Sequence, residues 1–282
     1  MRLHPIVSGA SAGAALLAAA GIAAAPVQTD HVGVELVSQT TALVPGRSAM
    51  LGLRFVHEPH WHTYWINPGD SGLATKLSWQ LPADFRAGEI IWPAPRRFDV
   101  DGLFNFGYSG DALLPVRLDV PANAKPGSAV QLAVEARWLV CREECIPGKA
   151  MLTLDLPIAA EAAMDPRWQA GFAAARAAQP QPGPWTGAAH ERGDRIDVTL
   201  SGSASDLPSD PALDVFVVQR QVVGYGPPQI SHGANALTVS FAKSEYFTRA
   251  PAALDLLLVA GVPPTIRAWS AHAPLDTAKP QP

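Results

Sequence analysis

The chain has 282 residues, 48% of them hydrophobic, with a formal net charge of −4, two cysteines, 27 prolines and 23 glycines. A near-neutral balance without a basic run argues against a nucleic-acid partner, and two cysteines exclude a disulfide-dense scaffold. The length accommodates two domains, and the abundance of Pro and Gly suits turn-rich β structure better than a helical bundle.

The first 25 residues read as a secretory signal: Arg2 and His4 head an apolar, Ala-rich run over 6–20, and Ala23, Ala24 and Ala25 offer small residues for cleavage. Pro26 directly after them is unfavourable for cleavage, which moves the expected cut to Ala20 or a neighbour. An export signal places the mature chain in an oxidising compartment, a bacterial periplasm, where a cysteine pair stays reduced only if electrons are supplied. After residue 25 no apolar stretch approaches the roughly 20 residues that span a bilayer.

From His31 onward short apolar runs alternate with turn signals. Strands are expected at 32–37, 49–55, 76–80, 90–92, 113–120, 129–140 and 150–156. Turns fall at Val44-Pro45-Gly46, Asp70-Ser71-Gly72, 93–95 and Lys125-Pro126-Gly127. Residues 30–158 therefore read as an antiparallel, immunoglobulin-like sandwich. Two segments, 57–72 and 99–110, carry more aromatics than turns require. In the second, Phe104, Phe106 and Tyr108 are spaced by Gly, Asn and Ser, which describes a flexible loop with bulky contact residues and suits a lid over a reactive site.

The stretch that organises the chain is Trp-Leu-Val-Cys-Arg-Glu-Glu-Cys-Ile-Pro-Gly at 138–148. It holds both cysteines, Cys141 and Cys145, close enough to bond across one helical turn or a tight loop. A ring that short removes only roughly 2 kcal/mol of chain entropy from the unfolded state, against about 4.7 kcal/mol for a hundred-residue loop. Such a bond is a poor staple, and a reversible, reactive disulfide is the better reading. Arg142 would lower a thiolate pKa while Glu143 and Glu144 would raise it, and the order of residues leaves open which side chains face the sulfurs.

Residues 159–178 are Ala-rich with Met164, Trp168 and Phe172 at i, i+4 and i+8, and predict an amphipathic helix whose better-formed part starts at Asp165-Pro166. Gln-Pro-Gln-Pro-Gly-Pro at 179–184 then makes a semi-rigid linker. A second β region, 185–272, offers strands at 195–200, 214–218, 236–241, 254–259 and 265–268. It has no cysteine and no catalytic cluster, and reads as a structural or docking module. Residues 273–282 are expected to be a disordered tail. The expected architecture is all-β: two immunoglobulin-like β-sandwich domains joined by a short helix and a Pro-rich linker.

Three motifs in order, at 61–72 (Trp-His-Thr-Tyr-Trp-Ile-Asn-Pro-Gly-Asp-Ser-Gly), 106–116 (Phe-Gly-Tyr-Ser-Gly-Asp-Ala-Leu-Leu-Pro-Val) and 138–148, resemble the N-terminal periplasmic domain of the DsbD and ScsB thiol:disulfide reductases, over about residues 30–158. The resemblance implies a protein-disulfide reductase or its electron-relay domain. Electrons would arrive from cytoplasmic thioredoxin through a membrane electron-transfer domain or protein and a thioredoxin-like domain, and leave to periplasmic proteins, thioredoxin-like ones included. No metal and no diffusible cofactor is implied. Cys141 and Cys145 would be the redox pair, with Cys145 forming the mixed disulfide. Phe104 and Phe106 would sit on a cap loop, Tyr64 would line the site, and Asp99 and Asp101 would lie near the pair. A carboxylate buried under the cap would hold a proton for the leaving thiolate. The short cysteine spacing is closer to the ScsB-like branch, whose second β domain the 185–272 region resembles. The chain ends without the membrane domain and the thioredoxin-like C-x-x-C of the full-length reductases, so a fragment, or a protein with a separately encoded membrane partner, is expected.

Two alternatives compete. His57, His60 and His62 precede the cysteines, strand alternation would put His60 and His62 on one face, and Cys with His binds zinc or copper, although the spacing matches no closed zinc motif. The other is a non-catalytic interaction module with an inert disulfide.

Overall fold

The structure is a computed structural model that describes residues 26–261 and 265–276. The expected export signal and the last six residues of the expected tail lie outside the described residues.

The first half contains β1 (Val27–Thr29), β2 (Val32–Ser38), β3 (Ser48–His57), β4 (His62–Gly69), β5 (Lys76–Gln80) and β6 (Arg86–Ile90). It continues with β7 (Arg96–Val100), β8 (Leu103–Ser109), β9 (Asp111–Asp119), β10 (Ala129–Cys141) and β11 (Cys145–Pro157). They form two sheets, ordered β1-β2-β3-β9-β6 and β11-β10-β4-β8-β7, with β5 lying along β10. Alternation drives the packing, as in β10, where Leu132, Val134, Ala136, Trp138 and Val140 are 0 to 4% exposed. These side chains meet Val34, Leu36, Leu53, Phe55, Leu114 and Leu118 of the facing sheet in one cluster, giving the immunoglobulin-like sandwich.

Strands β4, β7 and β8 occupy the two aromatic segments, and so correct the expected lid loop. Strands β7 and β8 are joined by a two-residue turn, Asp101-Gly102, with φ of 52° and 86°. Positive φ at both positions is the type I′ pattern that suits the twist of a hairpin. The strand expected at 90–92 sits instead at Arg86–Ile90.

The helix is shorter than the periodicity predicts: α1 runs Gln169–Ala177, burying Phe172 and Ala175 against Val37 and Leu113. Its expected first half follows the edge of the sandwich, where Met164 bridges Thr40 and the Asp165 N–H donates to the Gln39 carbonyl. The Asp165 carboxylate accepts the Arg167 N–H at 3.0 Å, a local turn that competes with helix.

The second half contains β12 (Gln181–Pro182), β13 (Thr186–Arg192), β14 (Arg195–Ser201), β15 (Asp214–Val217), β16 (Gln229–His232), β17 (Ala236–Ala242), β18 (Ala253–Ala260) and β19 (Arg267–Asp276). They share one sheet, ordered β15-β18-β19-β13-β14-β17-β16, with β12 on β19. Ile196, Val198, Leu200, Leu237 and Val239 pack against Val215, Leu254, Leu256, Leu258 and Ala273, so the sheet folds over onto itself as a second sandwich. Because β19 stays paired with β13 out to Asp276, residues 273–276 are strand and not tail.

The two sandwiches share a core. Phe216, Tyr225, Leu257 and Val259 of the second belong to the first one's cluster, and the Phe216 ring stands edge-on to Phe106 at 4.9 Å and to Trp65 at 6.2 Å. Arg97 crosses the joint. It makes a two-pronged bond to Asp214, 3.0 Å from Nε and 2.7 Å from Nη2, donates to the Val215 and Tyr225 carbonyls, and lies over the Phe106 and Phe216 rings. Arg97→Met would take the guanidinium from Asp214, which keeps only the Val215 N–H, and from both carbonyls. We expect a loss of about 2 to 4 kcal/mol in urea unfolding, and a loss below about 1 kcal/mol would show that the joint does not depend on this ion pair.

Candidate active site

Strands β10 and β11 pair without a slip from Ala129↔Pro157 to Cys141↔Cys145. The two cysteines are therefore directly opposite each other at the tip, 4.2 Å apart at Cα, and joined by a disulfide. Arg142, Glu143 and Glu144 make the turn, closed by the Arg142 N–H donating to the Glu144 carbonyl at 3.1 Å. The pair is unequal: Cys141 is 1% exposed, whereas Cys145 is exposed. The guanidinium of Arg142 sits 5.6 Å from the Trp61 ring, which in turn stacks on His31 at 3.8 Å.

Cys141 is buried because β4 arrives on the other edge of β10, with His62 opposite Cys141. His62 in turn faces Ser109 of β8. Cys145, Cys141, His62 and Ser109 thus form one row across four strands, on one face of the sheet. Two residues along β4, on the same face, Tyr64 brings its hydroxyl to 3.3 Å from Cys145 Sγ. Its ring is fully buried because residues 70–72 fold over it: a Cβ on Gly72, where φ is +97°, would collide with the ring. That loop is tied to β8 by the Asp70 N–H to the Phe104 carbonyl, the Phe104 N–H to the Asp70 carboxylate and the Ser71 hydroxyl to Asn105. Burial raises the Tyr64 pKa, opposed by the nearby Ser71 side chain, and because the disulfide sulfur carries no proton the hydroxyl is the donor.

His62 is 1% exposed, stacked on Phe98 at 4.5 Å and edge-on to Tyr64 at 5.2 Å. Its Nε2 is buried and bonds to none of the described residues. Burial lowers its pKa to about 4, with His57 adding to the effect. His57 spends both ring nitrogens, on the Gly110 carbonyl at 2.8 Å and Thr63 Oγ1 at 3.0 Å. His60 precedes β4 at a positive φ of 73°, so strand alternation does not set it on one face with His62. Among the described residues no group of three or more His, Cys, Asp or Glu is placed to hold a metal ion.

The expected site residues separate into two groups. Cys141, Cys145 and Tyr64 come together. Phe106 does not: it is 2% exposed, under Arg97 and against Phe216, in the joint between the sandwiches. Phe104 is the second residue of β8, beside the 70–72 loop, and packs on Gly226 of the second sandwich. The segment over Tyr64 is the 70–72 loop, classed above as a turn, and the aromatic that reaches the sulfur row is Phe98. Asp99 and Asp101 line an open cavity of about 560 Å³ beside the tip, with His60, His62, Phe98 and Arg142. Both are exposed, and Asp99 accepts the Gly102 N–H at 2.9 Å, so neither meets the condition of burial under a cap. Phe98 was missed, and His62 was marked only as a candidate metal ligand, not as a neighbour of the cysteines. The signal for His62 was its place two residues before Tyr64, and none marked Phe98.

Tyr64→Phe removes the donor to Cys145. Because one hydrogen bond to a charged sulfur is worth about 1.5 kcal/mol, we expect alkylation of Cys145 in the reduced protein to slow roughly tenfold at neutral pH, and an unchanged rate would dismiss the contact. A histidine held neutral by burial also links stability to pH. The unfolded imidazole titrates near about 6.5, so below that value the unfolded chain binds more protons than the folded one. Stability from this group is complete above about pH 6.5 and falls by about 3 kcal/mol as pH drops towards 4. Urea midpoints of the oxidised protein at pH 7 and 4.5 should show that fall, and His62→Phe should flatten it.

The family described as thiol:disulfide interchange protein DsbD, N-terminal, matches residues 33–157. The N-terminal periplasmic domain of ScsB from Proteus mirabilis superposes with a TM-score of 0.64 at 21% identity, covering 87% of this chain and 94% of that one, so the shared fold spans both sandwiches. The GAE domain of yeast GGA1 (TM-score 0.25, 13% identity, 45% of this chain and 94% of that one) and the pilin subunit BcpA of Bacillus cereus (TM-score 0.27, 6% identity, 87% and 69%) are far more distant. No curated protein matches the chain. Residues 33–157 are thus a thiol:disulfide interchange domain of the DsbD N-terminal family.

Proposed function

We propose that the protein relays reducing equivalents in the periplasm, from a membrane electron-transfer partner of DsbD or ScsB type to thioredoxin-like and other periplasmic proteins, through Cys141 and Cys145. The observation that carries this reading is the inequality of the two sulfurs, with Cys145 exposed at the tip and Cys141 buried behind it. Exchange needs one sulfur that a partner reaches and a second that resolves the mixed disulfide from behind. In loading, a partner thiolate attacks Cys145 Sγ, the disulfide breaks and its electron pair leaves on Cys141. The partner's second thiol then attacks its own bonded sulfur, forming the partner's disulfide and releasing Cys145 as thiolate. In delivery, Cys145 attacks a substrate disulfide, and Cys141 attacks Cys145 to restore the pair and free the reduced substrate. The periplasmic site is supported by the likeness to the ScsB periplasmic domain and by the export signal expected at residues 1–25; among the described residues no helix is long and apolar enough to cross a membrane.

The test is trapping. Cys141→Ser should accumulate mixed disulfides with partner proteins through Cys145, and Cys145→Ser should accumulate none. In glutathione or dithiothreitol buffers the wild-type pair should titrate reversibly above about −300 mV. A pair that remains oxidised throughout, with neither variant trapping a partner, would leave an inert disulfide as the better account.

A further inference from the structure

We infer that His62 is the proton acceptor of Cys141, taking the thiol proton as Cys141 attacks. This deepens the exchange reading above and rests on it. Cys141 is the sulfur that must become a thiolate in both directions of exchange, yet it is 1% exposed. A thiolate in apolar surroundings is costly unless something donates to it, and a thiol there is inert unless something accepts its proton. Tyr64 cannot serve, because its hydroxyl is on Cys145. Asp99 cannot, because it is exposed and holds the Gly102 N–H.

The row across the sheet leaves one group. His62 is the cross-strand neighbour of Cys141, and such neighbours hold their Cβ atoms about 4.5 to 5.5 Å apart on the same face. The imidazole is fixed there by the Phe98 stack and the Tyr64 edge. Its Nε2 is buried and has no partner among the described residues. Breaking the disulfide frees the Cys141 side chain to rotate, and Nε2 of its cross-strand neighbour is already desolvated and uncommitted. Depressed basicity keeps the ring neutral at working pH, able to accept one proton.

Other charges around the ring are accounted for. From its own strand and the approach to it come His57, fully bonded, and the exposed His60. From the β7–β8 hairpin come Arg96, Arg97, Asp99 and Asp101, with Arg97 committed to Asp214. From the tip come Arg142, over Trp61, and Glu143. The open cavity along this wall gives the proton a route to solvent.

The step balances in the resolving direction. The Cys141 thiol attacks Cys145 Sγ in the mixed disulfide, the S–S bond to the substrate breaks, the substrate leaves as thiolate, and the proton of Cys141 passes to His62 and then to water.

A chromogenic aromatic disulfide tests this, because it releases two coloured thiolates in turn. The first marks attack by Cys145 and the second marks attack by Cys141 on the mixed disulfide. With a neutral imidazole as base, the second phase should be nearly flat in pH between about 5 and 8, whereas an unassisted thiol slows tenfold per unit as pH falls. We expect the second phase of His62→Phe to be at least about tenfold slower than wild type at pH 6 and to converge with it near pH 9. A slowing by the same factor at every pH, as a merely structural loss would give, overturns the inference. Should that variant fail to fold, the wild type still decides: the Nε2 nitrogen resonance of His62 should move when the disulfide is reduced, and an unmoved resonance overturns it. If the first phase never appears, it is the exchange reading that fails; if both phases appear and His62→Phe changes neither, only His62 is dismissed.

Discussion

The register between β10 and β11 is the constraint on which the site depends. Thirteen unbroken pairs end with Cys141 opposite Cys145, and because side chains alternate along a strand, a slip by one residue would move the core set of β10 to the outside and the sulfurs out of line. The register is held from within. Leu132, Val134, Ala136, Trp138 and Val140 all point into the cluster between the sheets, and each large apolar side chain buried this way contributes about 1.5 to 3 kcal/mol relative to exposure. The reactive bond itself therefore carries little of the load of holding the hairpin together. A disulfide that opens and closes in a working cycle needs a frame that survives its absence, and this hairpin has one.

What distinguishes the two sulfurs is the arrival of a third strand. Hairpin geometry alone would leave Cys141 and Cys145 equally placed. Strand β4 covers only one edge, and it does so with His62 against Cys141 while Tyr64 reaches past to Cys145. The exposed sulfur receives a hydroxyl, and the hidden one has an imidazole as its cross-strand neighbour. The 70–72 loop finishes the arrangement by closing over the Tyr64 ring, so the donor to Cys145 is fixed by packing.

Much of this was legible before any coordinates. The cysteine pair was visible from its closeness, Tyr64 from its motif, and the two-sandwich architecture from strand spacing. The second aromatic segment was misread because Asn105 and Gly107, between Phe104 and Tyr108, lower strand propensity. Gly107 shows why that inference failed: a Cβ there would collide with the Thr63 carbonyl, so the glycine marks a close approach of two strands and not a flexible loop. The i, i+4, i+8 spacing of Met164, Trp168 and Phe172 similarly overstated α1, because Gln39 and Thr40 offered residues 164 and 165 a strand edge to pair with. Phe98, and the place of His62 beside Cys141, escaped notice for a different reason. Their importance comes from which strands neighbour β10 and β8, a long-range fact that local pattern does not contain.

The seating of Phe216 on Trp65 and Phe106 bears on what counts as a unit in this chain. The family match ends at residue 157, which suggests a natural place to cut. A chain cut there would lose Phe216, Leu257 and Val259 from its core and present an apolar window ringed by Arg97 with its carboxylate gone. Windows of that kind recruit other molecules. The borders of the recognisable sequence and the borders of the continuous core do not coincide here, and the second sandwich is a wall of the first one's core.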